Sequence, residues 1–142
     1  MMIPMIIKRC EATVYLVDTS VLIDFLKGRE TNQAQKLEKI IHNRIPFGIS
    51  IFTYQEVLQG AKHEKEYETL KRYLDTQKIY YPTHETFETS AHLFFSCRKK
   101  GITIRGTIDT LIATTAMENG LILLCSDRDF EYMTQVIDLK IE

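Results

Sequence analysis

Tryptophan is absent from this 142-residue chain, and proline and glycine are scarce, at three and six residues. That excludes a collagenous, proline-rich or low-complexity chain, and no internal repeat is present. Cys10, Cys97 and Cys125 are odd in number, widely spaced and without a Cys-x-x-Cys pair. Neither a disulfide framework nor a cysteine zinc site is indicated, and a reducing, cytoplasmic setting is expected. His42, His63, His84 and His92 show no ligand spacing. Charge of one sign is also lacking: 18 basic against 19 acidic residues leave a net charge of -1. The chain is no polybasic coat for a membrane or DNA, though local patches can still meet nucleic acid. No apolar run reaches membrane-spanning length. The apolar opening, MMIPMIIKRC, has its charges after the apolar run, the reverse of a secretory signal.

What is present is a globular composition, 44% apolar and 26% charged. The length suits one domain over residues 1–142, large enough for its own core. Residues 1–13 read as an extension ahead of the first strand. Val14–Val17 is a short apolar run that suits a strand buried on both faces. A helix through Val21, Leu22, Phe25 and Leu26 should stop at Gly28. Ala34, Leu37, Ile40 and Ile41 recur at helical spacing between Thr31 and Asn43. Residues 46–50 predict a strand, and Thr53 to Asp75 a helical pair with Tyr67, Leu70 and Leu74 inward. A strand is expected over residues 78–81 and a long helix over 84–100. Another helix should run from Thr107 to Gly120, followed by the strand Leu121–Cys125. Val136–Leu139 is a candidate last strand. Strands alternating with helices predict an α/β fold, a three-layer α/β/α sandwich with a mainly parallel central sheet. Ligands of such sheets bind outside the carboxyl ends of the strands.

Acids stand where several apolar runs give way to helices: Asp18, Glu56, Asp109, Asp127 and Asp129. Each has a plainer role. Asp18 could cap its helix, and Thr53-x-x-Glu56 fits a capping box. Thr107 could be a cap with Asp109 in the first turn, and Ser126 could cap a turn over Asp127–Asp129. Capping does not require the acids to gather at one sheet edge, whereas a divalent metal site does. Gathered carboxylates repel one another, and a hard cation removes that penalty. The absence of a His or Cys cluster favours Mg²⁺ or Mn²⁺ over zinc.

Four segments together resemble the PIN-domain ribonucleases, and within them the VapC-type toxins of toxin–antitoxin pairs. They are Val17-Asp18-Thr19-Ser20-Val21-Leu22-Ile23-Asp24, Tyr54-Gln55-Glu56-Val57, Ile108-Asp109-Thr110-Leu111-Ile112-Ala113 and Ser126-Asp127-Arg128-Asp129-Phe130. The resemblance implies a Mg²⁺- or Mn²⁺-dependent endoribonuclease cutting tRNA, rRNA or mRNA loops. It also implies a cognate antitoxin and a homodimer. It makes Asp18, Glu56 and Asp109 the first three site acids, with Asp127 or Asp129 the fourth. Asp18, Asp109 and Asp127 are the implied metal ligands. Thr19, Ser20 and Ser126 are implied supports, and Ser126 stands where the family often has Asn. Arg105 and Arg128 are the candidate phosphate contacts. A processing nuclease without an antitoxin, and an inactive RNA- or protein-binding module, are the competing readings.

The basic run Arg98-Lys99-Lys100 could guide RNA or simply complement a helix end. Tyr80-Tyr81 and Phe94-Phe95 are expected in the core rather than stacked on bases. Phe25 and Leu26 are candidates for a partner surface.

Overall fold

A computed structural model describes residues 13–142. The expected extension lies outside the described residues except for Thr13. Among the described residues four strands form one parallel sheet: β1 Tyr15–Val17, β2 Phe47–Ser50, β3 Lys78–Tyr80 and β4 Ile122–Leu124, in the order β3-β2-β1-β4. The helices are α1 Thr19–Leu26, α2 Asn32–His42, α3 Ile51–Gln59, α4 Glu64–Leu74, α5 His84–Lys99, α6 Thr107–Glu118 and α7 Arg128–Met133.

The period-two rule of strands sorts the core into two layers. Leu16 and Leu123 face one side, among Leu93, Cys97, Ile112, Ala116 and Phe130 of α5, α6 and α7. Val17 and Leu124 face the other, among Val21, Leu22, Leu37, Ile40, Val57 and Leu74 of α1 to α4. Helices therefore cover both faces, and the strands are apolar at consecutive positions for that reason. The expected three-layer architecture is present.

Gly48 marks where β2 runs close to β3. A Cβ there would meet the Lys78 carbonyl oxygen at 2.9 Å and the Tyr80 ring at 2.8 Å. Any larger side chain must push the strands apart.

The chain runs from β1 outward through β2 to β3, then returns to place β4 on the other side of β1. The strand order reverses between β1 and β4, the crevice where open α/β sheets take ligands. The Asp18 N–H donates to the Leu124 carbonyl at 2.9 Å, so the chain leaving β1 stays beside the end of β4.

Four expectations need correction. Residues 136–139 form no strand, because Val136 and Ile137 donate their N–H groups back to Met133 and prolong the turn after α7. Pairing starts later, at an isolated parallel bridge between Ile141 and Leu123. Tyr67 is exposed, leaving Leu74 as the buried residue of α4. Tyr81 and Phe95 are exposed at 66% and 51%, outside the core. The expected Thr53–Glu56 capping box does not form. Ser50 is the N-cap and its hydroxyl accepts the Thr53 N–H, because α3 begins three residues earlier than the motif suggests.

Candidate metal centre

Asp18 follows β1 and precedes the first residue of α1, in extended conformation. It is 4% exposed, and the Ser20 hydroxyl donates to its Oδ2 at 2.9 Å. Burial pushes its carboxyl up to about 6; the Ser20 bond acts against that rise, and the charge of Glu56 adds to it.

Asp109 sits in the first turn of α6, whose N-cap is Gly106 rather than the expected Thr107. Burial pushes its carboxyl up to about 7, helped by the charges of Asp18, Asp127, Asp129 and Glu56. Asp109 therefore feels all four other acids named from the sequence.

Asp127 caps α7 by accepting the Asp129 N–H at 2.9 Å on Oδ1, a role expected of Ser126. Ser126 and Arg128 are exposed beside it. Asp129 is 3% exposed and accepts the Arg105 N–H at 3.2 Å. Each of Asp109, Asp127 and Asp129 offers an oxygen, all within 4.8 Å of one another. Asp18 falls outside that trio and is linked to it through its charge on Asp109.

Glu56 lies more than one turn into α3. Thr19 Oγ1 donates to its Oε1 at 2.6 Å and lies 2.9 Å from Thr53 Oγ1. Thr53 is fully buried and also receives the Ser50 hydroxyl at 3.3 Å. Thr53 was not named from the sequence as a site support, because its Thr-x-x-Glu spacing reads as a cap.

Arg105 reaches the same cluster. Its Nη2 lies 3.4 Å from Asp127 Oδ1 and its Nε 3.6 Å from Asp129 Oδ2, with the side chain 75% exposed. The basic run at the end of α5 is elsewhere engaged: Arg98 lies over the Phe94 ring and Lys99 over Phe95.

The donor chemistry fits a hard divalent cation. Three carboxylates converge, and a cation would offset the burial and the mutual repulsion that raise the Asp109 carboxyl. A soft thiolate site does not fit, because burial pushes the neighbouring Cys125 thiol up to about 12.

A parallel α/β/α sheet with carboxylates gathered at its topological switch point defines a class of acid-site α/β proteins. Within that class, the PIN domain family model matches residues 15–135, and the chain belongs to that family. "Ribonuclease VapC11" of Mycobacterium tuberculosis is 24% identical over 129 residues, covering 88% of this chain and 95% of that protein. VapBC2 from Rickettsia felis, solved with a DNA fragment from its promoter, superposes with a TM-score of 0.71 at 16% identity. That match covers 92% of this chain and 98% of the other. VapBC-1 from nontypeable Haemophilus influenzae matches with a TM-score of 0.69 at 22% identity, covering 92% and 97%. These structural likenesses establish the fold. Among the described residues, no helix is long and apolar enough to cross a membrane.

Proposed function

We propose that the chain is a metal-dependent endoribonuclease that hydrolyses RNA phosphodiester bonds, and that it is the toxin of a toxin–antitoxin pair. The observation that carries this reading is the trio Asp109, Asp127 and Asp129, with oxygens within 4.8 Å of one another. Asp109, Asp127 and Asp129 would hold Mg²⁺ or Mn²⁺, with Asp18 completing the negative site beside them. When bound, such an ion lowers the pKa of a water and offsets charge on a phosphoryl oxygen.

The chain's own residues supply the rest. Thr19 fixes Glu56 through Oε1 and leaves Oε2 to take a proton from the attacking water. Ser20 orients Asp18. Arg128, exposed at the start of α7, contacts backbone phosphates. A narrow carboxylate cleft suits unpaired loops, whose strands can enter singly. The VapC names of the relatives and the VapBC structures support the toxin reading and an antitoxin partner. The groove bounded by Ile23, Leu26, Val57 and Leu70, between α1, α3 and α4, is the surface assigned to that partner.

The protein is further read as a homodimer through α5. Phe87 and Phe95 are 49% and 51% exposed and share a face with Ala91. Glu85 and Glu88 lie at one end of α5, and Arg98 and Lys99 at the other. Antiparallel pairing about a two-fold axis matches the acidic end with the basic end.

The test is cleavage of total cellular RNA by purified protein, with Mg²⁺ or Mn²⁺ and with EDTA, beside Asp109→Asn. Defined fragments that require the ion and vanish in the variant are expected. Fragments that persist in EDTA or in the variant would overturn the reading.

A further inference from the structure

Among the described residues, Arg105 is the cation that reaches the acid trio. Its guanidinium lies 3.4 Å from Asp127 Oδ1 and 3.6 Å from Asp129 Oδ2, while its own N–H is fixed to Asp129 at 3.2 Å. The backbone is thus anchored at the site, and the side chain above it is 75% exposed. It extends from the segment between α5 and α6, directly before the N-cap Gly106. Both side-chain contacts are long for charge-assisted bonds, which close to about 2.7–2.9 Å when well formed.

From this geometry we infer that Arg105 is an exchangeable counter-charge: it pairs with Asp127 and Asp129 in the metal-free protein, and turns to an RNA phosphate when a divalent cation takes the acids. This inference rests on the metal-dependent reading above and adds a regulatory step to it.

Charge competition favours the exchange. A guanidinium stays charged at every working pH. It and a divalent cation compete for the same carboxylate oxygens, so each weakens the other. A bound divalent cation offsets two of the negative charges and takes up carboxylate oxygens, so the guanidinium is held less firmly. The nearest new anion is the RNA phosphate the site would accept, and a fork-shaped donor suits phosphate. The fixed N–H keeps the swing local: the side chain moves while the segment stays bound to Asp129.

The exchange makes two predictions of opposite sign, which a merely structural residue would not give. Removing the charge should tighten metal binding and weaken RNA binding. An exposed ion pair limits the first effect to about two- to fivefold. The loss of one phosphate contact should flatten the salt dependence of single-strand binding by about 0.7 in log–log slope.

The experiment compares wild type, Arg105→Gln and Arg105→Lys. Mn²⁺ binding is measured by titration calorimetry without RNA. Binding of a short oligouridylate to the Ca²⁺-loaded protein is measured by fluorescence anisotropy across salt concentrations. Arg105→Gln should bind Mn²⁺ about two- to fivefold more tightly and RNA several-fold more weakly, with the flatter slope. Arg105→Lys, which keeps the charge, should fall between, and it guards against misfolding of the Gln variant. Equal or weaker Mn²⁺ binding by a folded Arg105→Gln protein would overturn the exchange, as would unchanged RNA binding. If wild type binds Mn²⁺ and cleaves RNA while these differences are missing, only the exchange fails. If wild type binds no Mn²⁺, the metal reading falls and the exchange falls with it.

Discussion

The hydroxyl of Thr19, the first residue of α1, donates to Glu56 of α3 at 2.6 Å. One short bond thus ties the segment leaving β1 to the helix that follows β2. It fixes an acid that would otherwise ride on a long, mobile side chain. Thr19→Val keeps the shape and removes the donor. A hydrogen bond to a charged group is worth about 1.5–3 kcal/mol, so kcat should fall about ten- to hundredfold. Thr19→Ser should restore most of it. Single-turnover cleavage of a fluorogenic RNA reads this. An unchanged rate in Thr19→Val would show that Glu56 needs no such support.

The acids set the pH dependence of the metal-free fold. Asp18 and Asp109 are raised to about 6 and about 7 from 3.8, chiefly by burial. The folded state therefore binds protons that the unfolded chain has released, and stability falls as pH rises from about 4 through about 7. Asp18, nearly fully buried, accounts for about 3 kcal/mol of that fall. Thermal melts without metal should give a lower Tm at pH 8 than at pH 5. Mn²⁺ should recover it at pH 8, since a ligand that binds only the folded state stabilises it. Asp109→Asn should melt higher than wild type at pH 8 without metal. A Tm that rises from pH 5 to pH 8 in EDTA would contradict the raised values.

Thr114 in α6 has a buried hydroxyl oxygen that lacks a hydrogen-bond partner. Thr114→Val removes the polar atom at nearly constant volume. Stability should rise by about 1 kcal/mol, within the range for an unsatisfied buried group. Denaturant unfolding measures it, and a loss of stability would show that the hydroxyl does find a partner.

The exposed pair Phe87 and Phe95 makes the dimer testable. Phe87→Ser combined with Phe95→Ser should yield a monomer by light scattering while wild type is a dimer. Phe87 also packs edge-on against Phe52, so circular dichroism checks that the separated chain stays folded. A double variant that stays dimeric would move the interface elsewhere.

Much of the fold was legible because the parallel sheet is buried on both faces. Leu16-Val17 and Leu123-Leu124 are apolar at adjacent positions, and each pair splits between the two helical layers. What misled was local. Thr53-Tyr54-Gln55-Glu56 carries the spacing of a capping box, yet Ser50 had already started the helix, freeing Glu56 for Thr19. Tyr81 and Phe95 read as core because periodicity does not tell a buried stripe from one awaiting a partner. The acids were legible as a set, since all but Glu56 follow a strand or open a helix. Their distances were not. That Asp127 and Asp129 both join Asp109 follows from the cap at α7, which turns the two carboxylates to the same side.

Mn²⁺ titration calorimetry at pH 8 reads whether Asp109, Asp127 and Asp129 hold a divalent cation. Wild type should bind Mn²⁺ and Asp109→Asn at least tenfold more weakly, as expected when one charged ligand of a small carboxylate site becomes neutral. Equal binding by the two proteins, or none by wild type, would contradict the account and leave the acids as helix caps and first-turn charges.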